Sequence, residues 1–331
     1  MKAYLIKKIS EIGEKDLFEF YSKVFNTKKN SFISNYKWHY RLGYNEFEPI
    51  VIIVDNIIIG HAGLIPTEVL SQGRKFPAIW FIDFVVLPEY QSKGFGKILT
   101  EEWMKICPNQ ITYCNNLSLR VFKKLKWQNN SFVKRKIYPI NFFNIFPSLK
   151  KIELNFANKF FRFLLKKKLN NNKAIKFYNI SDQIIKNCAL AEKKFDTSSP
   201  TIIRDENWFQ WRLGDCPYKT DLLYFENNDE FIIGHIFFQN RVKRLNIIYS
   251  NTKNNSEIFS LLINWSLENQ IDYLWYVNSK SNINSHLPSV FNKTINFAYN
   301  TNDQELLKDL SRGLSNTSGI DSDIDYISRD N

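Results

Sequence analysis

The stretch richest in chemical possibility is Gln91-Ser92-Lys93-Gly94-Phe95-Gly96-Lys97. Glycine permits positive φ and lets a ligand approach the main chain. Where such a turn opens a helix, successive N–H groups form a cradle for phosphate oxygens. The turn lacks the Gly-Lys-Ser/Thr of a Walker loop and has only the Gly-x-Gly part of a dinucleotide fingerprint. It suits a phosphate-bearing ligand of another kind, or is simply a turn. Just upstream, Asp83 interrupts the apolar run Ile79 to Leu87. An ionisable group in such a run is costly unless paired. Asp83 is therefore either a group that meets a substrate or the partner of backbone or an arginine. His61 and Glu68 are weaker candidates of the same kind.

The elements that must hold these residues can be read from periodicity. Ile79 to Leu87 is apolar on both faces, as a buried strand should be, and Pro88 stops its ladder. Lys97 to about Ile106 has Ile98, Leu99, Trp103 and Ile106 on one helical face. Before this unit, residues 3 to 9 read as a strand and Glu14 to Phe25 as an amphipathic helix. Phe32 to Leu42 is an aromatic-rich segment stopped by Gly43. Ile50 to Asp55 and Ile57 to Leu64 are two strands about an Asp55-Asn56 hairpin signal. After it come a strand at Gln110 to Cys114, a helix opened by Asn115 as a cap and running to about Trp127, and a last strand at Phe132 to Ile137.

A strand ending Val-x-Pro, then Gln-x-x-Gly-x-Gly, then an amphipathic helix resembles the acyl-CoA motif of the GNAT N-acetyltransferase superfamily. Val86, Pro88, Gln91, Gly94 and Gly96 carry the match. The resemblance implies that N–H groups from Ser92, Lys93, Gly94, Phe95, Gly96 and Lys97 hold the pyrophosphate of acetyl-CoA or another short acyl-CoA. It implies that the edge of strand 83–87 pairs with the pantetheine arm, and that an N–H near Val85 or Val86 holds the oxyanion. Asp83 stands where several members of the superfamily place an acid that meets the amine. A second GNAT segment is matched by Asn115 and Ser118, but Phe122 stands where the family often has Tyr, and Lys126 where it often has Gly. The usual proton donor to the departing thiolate is thus missing, and Tyr113 or solvent could replace it. No metal is implied.

The chain also repeats itself. Trp38-His39-Tyr40-Arg41-Leu42-Gly43 returns as Phe209-Gln210-Trp211-Arg212-Leu213-Gly214, and Ile57 to His61 returns as Phe231 to His235. Similar separations suggest a duplicated domain. After the second copy's candidate strand, Arg244 to Tyr249, there is no Gln-x-x-Gly-x-Gly, so that copy should bind no acyl-CoA and should wall the acceptor site. The expected fold is α/β, with two tandem GNAT-like domains, each a mixed, mostly antiparallel central sheet flanked by helices. The expected division is 1–140 for the acyl-CoA domain, 141–175 for a connecting helical segment, 176–313 for the degenerate copy and 314–331 for a polar, poorly ordered tail.

Composition limits the partners. The 331 residues carry a net charge of +12 and are 44% hydrophobic, enough for two cores. No apolar run approaches a membrane span, and the N-terminus is too polar for a signal peptide, so a cytoplasmic protein without stable membrane insertion is expected. Cys107, Cys114, Cys188 and Cys216 have neither metal nor disulfide-framework spacing. No nucleic-acid motif accompanies the basic charge, which would draw in phosphate-bearing ligands. A homodimer is left open. The reading is transfer of an acetyl or short acyl group to a small amine. By layout the chain resembles tandem enzymes that acylate nucleotide-linked amino-dideoxy sugars in surface-polysaccharide (including lipopolysaccharide) synthesis. A peptide, antibiotic or polyamine acceptor, or a non-catalytic CoA-binding protein, are the alternatives.

Overall fold

The computed structural model describes residues 3–25, 29–141, 159–164, 175–193, 199–239, 242–252, 257–278, 291–315 and 317–321. In the first half, β1 (Leu5–Lys8) lies antiparallel to β2 (Ile50–Val54). Between them in sequence come α1 (Glu14–Val24) and α2 (Lys29–His39). Asp55 and Asn56 both have positive φ, 51° and 61°, the handedness a two-residue hairpin turn requires. They join β2 to a long β3 (Ile57–Ser71), which turns at Gln72-Gly73 into β4 (Arg74–Val86). Then follow α3 (Phe95–Ile106), β5 (Gln110–Cys114), α4 (Asn116–Lys124) and β6 (Gln128–Pro139).

The second half lists similar pieces in the same order. They are β7 (Lys176–Asn179), α5 (Asp182–Glu192), the short β8 (Thr201–Ile202), α6 (Glu206–Phe209) running into a wide turn at Gln210–Gly214, β9 (Leu222–Asn227), β10 (Glu230–Gln239), β11 (Val242–Ser250), α7 (Glu257–Glu268), β12 (Tyr273–Asn278), β13 (Phe291–Asn300) and α8 (Gln304–Ser311).

The strands join one mixed, mostly antiparallel sheet in the order β1-β2-β3-β4-β5-β13-β6-β12-β11-β10-β9-β7, with β8 beside β3. Among the described residues, only β4/β5 and β11/β12 run parallel. The two halves trade their last strands. β6 follows β5 in the chain yet pairs with β13 and β12, and β13 pairs with β5. Two separate sheets were expected, and one continuous sheet is found. A strand ending a half-sheet presents a row of unmet N–H and C=O groups. Exchange meets both rows at once, and no local sequence pattern announces a partner 180 residues away.

Helices cover both faces. On one, Trp103 of α3 stacks on Phe81 with ring centroids 3.9 Å apart, and Leu99 lies against Gly60. On the other, α1 contributes the fully buried Leu17 and Tyr21. A second core gathers Leu245, Ile247, Leu274 and Phe225 under α7.

One expectation changes. The tail is not loose from Leu314 onward. Leu314, Thr317, Ser318, Ile320 and Asp321 are buried, and Asp321 takes both arms of the Arg204 guanidinium at 2.8 and 2.7 Å. Arg212 Nε donates to the Ile320 carbonyl at 2.8 Å. Polar composition suggested a solvated tail, but those polar groups serve buried partners instead. Of the proposed connecting helix, residues 159–164 are helical, and most of the remainder lies outside the described residues.

Arg204 and Asp321 have fully buried side chains, and although Arg204 also pairs with Glu192 at 3.1 Å, losing Asp321 leaves Arg204 Nε and Nη2 without their acceptor. Asp321→Ala should cost roughly 3–5 kcal/mol of unfolding free energy, read from urea unfolding midpoints. A loss within experimental error would mean that residues 317–321 are not part of the cooperative fold.

Candidate active site

The site begins where β4 parts from β5. Their parallel pairing comprises Ile79↔Gln110 and Trp80↔Ile111 and then ceases, although β4 runs on to Val86. Thr112 Oγ1 donates to the Phe81 carbonyl at 2.7 Å just at the fork. Asp83 explains the bend. It has φ of +47°, and the β3/β4 register shifts between His61 and Gly63, so an extra residue is bulged into β4. Beyond it, among the described residues, β4 has no strand on its β5 side. Leu87 N–H donates to the Ile59 carbonyl at 2.8 Å, toward β3. By the alternation of strand backbone, the Val86 N–H faces the gap. Gln91 Nε2 holds the Val86 carbonyl at 2.9 Å, tying the turn to the strand end.

The glycine turn sits at the mouth of this fork. Gly94 is left-handed with φ of 89°, and Ser92 with φ of 59° is left-handed too. The Gly94 carbonyl accepts the N–H groups of Lys97 and Ile98 at 3.0 and 3.2 Å, opening α3. Among the described residues, the N–H groups from Ser92 to Gly96 have no backbone acceptor. They stand at the positive end of the α3 dipole. A Cβ at Gly96 would lie 3.8 Å from Val86 Cγ2, an ordinary contact. Packing within the protein therefore does not demand glycine there, whereas close approach of a ligand to the backbone would. Lys93 Nζ lies over the Tyr90 ring at 5.4 Å, and Lys97 pairs at 3.6 Å with Glu101, both on the surface.

Asp83 is the hub of a buried polar cluster. Its Oδ2 lies 3.1 Å from His39 Nε2 and accepts the Tyr40 hydroxyl at 3.3 Å. The His39 and Asp83 side chains are only 2% and 7% exposed. The Asp83 carbonyl meets His61 Nδ1 at 3.0 Å, and His61 Nε2 meets the Tyr21 hydroxyl at 3.3 Å. Burial pushes the His61 pKa down to about 4, so the ring is neutral at pH 7 and works as a fixed link between α1 and the bulge. Burial, with Asp83 adding to it, raises Tyr21 well above the ordinary phenol range. His39 and Tyr40 escaped the sequence reading. The signal was present in the repeat, because His39 is replaced by Gln210 in the second copy while His61 returns as His235. Burial and Arg244 press His235 down to about 3. The histidine shared by both copies is neutral and buried in each, and the unshared one holds the acid.

The remaining candidates are placed as follows. Tyr113 is half-buried on β5, its ring 4.9 Å from Trp80 and 6.1 Å from Phe297. Asn115 Oδ1 accepts the Ser118 N–H at 2.9 Å, so its side chain caps α4, as expected. Phe122 is buried edge-on to Phe81 at 5.9 Å. Lys126 has φ of +65°, a left-handed position that glycine would adopt without strain. Glu68 contributes its backbone carbonyl to Ile203 N–H. In the second half, β11 and β12 keep four parallel pairs, from Arg244↔Tyr273 to Ile247↔Tyr276, and Ser250 Oγ bonds the Tyr276 hydroxyl at 3.0 Å. That fork opens later. Residues 253–256, where a cradle would lie, are outside the described residues.

Residues 14–127 match the Acetyltransferase (GNAT) family. This stretch contains the bulge, fork, glycine turn and α4. Among curated proteins, none matches the sequence. Among solved structures, the chain is similar to a GCN5-related N-acetyltransferase from Kribbella flavida, with TM-score 0.59, 10% identity, and coverage of 90% of this chain and 71% of that one. It is also similar to Saccharomyces cerevisiae N-myristoyltransferase with bound myristoyl-CoA, with TM-score 0.58, 10% identity, and coverage of 91% and 83%. A GCN5-related N-acetyltransferase from Anabaena variabilis gives TM-score 0.56, 12% identity, and coverage of 89% and 72%. At these identities the likeness is one of fold. Among the described residues, no helix is long and apolar enough to cross a membrane, and no cluster of three His, Cys, Asp or Glu could hold a metal.

The depressed His61 pKa has a measurable consequence. As pH falls, the unfolded chain takes up a proton near 6.5, whereas the folded chain resists until about 4. Stability must therefore fall as pH drops through that window. His61→Gln should flatten the slope of unfolding free energy against pH between 6.5 and 4. An unchanged slope would mean that His61 is not held neutral.

Proposed function

We propose that the chain is an acyl-CoA-dependent N-acyltransferase acting on a small amine. The observation that carries this reading is the forked, bulged β4 edge ending at a glycine turn whose N–H groups have no backbone acceptor among the described residues. Together they match an acyl-CoA in chemistry: N–H donors for a pyrophosphate, then a free strand edge for the amide-bearing pantetheine arm. The Val86 N–H, facing the gap, is the donor for the oxyanion. The match of residues 14–127 to the GNAT family supports the same reading.

In the reaction, the amine nitrogen bonds to the thioester carbonyl carbon and the carbon–sulfur bond breaks. An ammonium must first lose a proton. The Asp83–His39 pair receives it, directly or through water, with Tyr40 fixing the carboxylate. The nitrogen, now bonded to carbon, gives up a second proton to solvent, and the thiolate takes one from solvent or Tyr113. A thiol pKa of about 8.5 makes it an adequate leaving group without a dedicated acid. The first half supplies acyl-CoA binding and chemistry. The second half walls the acceptor, through residues such as Trp211, whose Nε1 donates to the Trp38 carbonyl at 2.8 Å beside His39. The acceptor class favoured is a nucleotide-linked amino sugar. Phe122, unable to donate a proton, favours a non-catalytic CoA-binding protein as the second reading.

Release of free CoA thiol from acetyl-CoA and longer acyl-CoAs, against amines including nucleotide-linked 3-amino and 4-amino sugars, tests both readings. Asp83→Asn should lower kcat about 100-fold or more and leave CoA affinity unchanged. Gly94→Val, which forces a β-branched residue into a left-handed position, should abolish CoA binding. Tight CoA binding without turnover on any amine would favour the non-catalytic reading. Normal CoA binding by Gly94→Val would move the coenzyme elsewhere.

A further inference from the structure

The two repeated blocks meet in a nearly symmetric joint. Trp38 Nε1 donates to the Trp211 carbonyl at 2.7 Å, and Trp211 Nε1 donates to the Trp38 carbonyl at 2.8 Å. The arginines cross in the same way. Arg41 lies over the Trp211 ring at 4.7 Å, and Arg212, its counterpart in the repeat, lies over the Trp38 ring at 5.4 Å.

The symmetry fails at what each guanidinium holds. Arg212 Nε donates to the Ile320 carbonyl at 2.8 Å. Residues 319–321 lie against β11 and β12, the parallel pair that corresponds to β4 and β5. In the second half, then, the chain's own tail brings an oxygen to this arginine. Arg41 has no such oxygen. It is only 7% exposed and lies over the Tyr44 ring at 3.4 Å. Among the described residues it has no carboxylate at ion-pair distance and, Tyr44 aside, no oxygen to donate to. Burial lowers its pKa, and Tyr44, Asp205 and Glu68 offset this only in part. Asp205 is itself engaged, its Oδ1 accepting the Trp208 N–H at 2.8 Å.

A buried guanidinium without acceptors is costly. Arg41 also has a left-handed φ of 53°, strain of the kind that gathers where ligands are held. A bound oxyanion supplies the missing acceptors, because a guanidinium presents paired donors that match carboxylate or phosphate oxygens. Tyr44 is 44% exposed, so the guanidinium lies just beneath the surface. The place is also right. Arg41 follows Tyr40 and is two residues from His39, the two groups on the Asp83 carboxylate. Two peptide units keep its Cα within about 8 Å of that of His39. A small molecule whose amine meets Asp83 and His39 can therefore reach Arg41 with a second group.

We propose that Arg41, framed by Tyr44 and Trp211, is the subsite for an oxyanion of the acceptor, which is therefore an amine that also carries a carboxylate or a phosphate. That the ligand is the acceptor rests on the acyltransferase reading, whereas the affinity of Arg41 for an oxyanion does not.

Sodium acetate and inorganic phosphate are the probes. Each is titrated at constant ionic strength into the full chain saturated with CoA, so that the glycine turn is filled, and the thermal midpoint is followed. At least one should raise the midpoint along a saturating curve. Arg41→Gln should raise the half-saturating concentration about tenfold or more. Arg41→Lys keeps the charge at the joint but not the fork of donors, and should raise it about threefold. It carries the test if the glutamine variant does not fold. The probe that binds more tightly identifies the group on the acceptor. No saturating response, or one that the variants share unchanged, overturns the proposal. If CoA does not bind, the acyl-CoA reading fails separately, and the same titrations of the free chain and its variants decide Arg41. Where phosphoethanolamine or β-alanine is acylated, Arg41→Gln should raise its KM about tenfold at nearly constant kcat, and raise KM for the matched ethanolamine or propylamine less than about threefold. Equal rises for the anionic and neutral amines would make Arg41 merely a prop of the joint.

Discussion

Backbone hydrogen-bonding groups in a sheet must find partners, and the organisation of this protein turns on where β4 is left without one. After Trp80 pairs with Ile111, the bulge at Asp83 swings β4 off its neighbour. A left-handed aspartate inside an apolar strand is strained, and such strain persists only where its surroundings over-determine it. Here His39 and Tyr40 at the end of α2 and His61 of β3 grip the side chain and carbonyl of that one residue. The same bulge therefore frees the edge of β4 beyond Asp83 and sets the Asp83 carboxylate between His39 and Tyr40. Opening the fork and aiming the acid are a single structural event.

The rest of the sheet compensates for the opening. A β5 strand released by β4 on one side would be a short, poorly held edge, but β13 pairs with it along its other side over five residues, Gln110 to Cys114. The halves are also pinned beside the site. Trp38 Nε1 donates to the Trp211 carbonyl at 2.7 Å while Trp211 Nε1 donates to the Trp38 carbonyl at 2.8 Å. Arg41, itself left-handed, lies between the Tyr44 and Trp211 rings at 3.4 and 4.7 Å. The repeated block thus forms the joint between the halves, and His39 and Tyr40, which stand where the second block has Gln210 and Trp211, are the residues of the joint that reach the acid.

Local features were legible because they are local. Asp55-Asn56 specifies its turn through left-handed backbone, Asn115 caps α4 from one residue away, and Gly94 marks the start of α3. Asp83 stood out because charge in an apolar strand needs a reason. His39 did not, since an aromatic-rich helix end offers no sign of which strand it will touch. The polar tail misled for a related reason: the partner of Asp321 is Arg204, over a hundred residues earlier, and composition cannot distinguish a solvated carboxylate from one that neutralises a buried guanidinium.

What the sequence determined by itself was most elements of the first half and the glycine turn with its strand and helix, because these rest on steric and hydrogen-bonding preferences within a few residues. Tertiary structure alone decided that the halves share one sheet, that His39 and Tyr40 meet Asp83, and that Arg135 and Arg244 both lie against the Trp275 ring. Each of these depends on strand pairing between distant segments. Pairing is chosen by the whole sheet's need to satisfy its edges, a constraint that no short stretch of sequence contains.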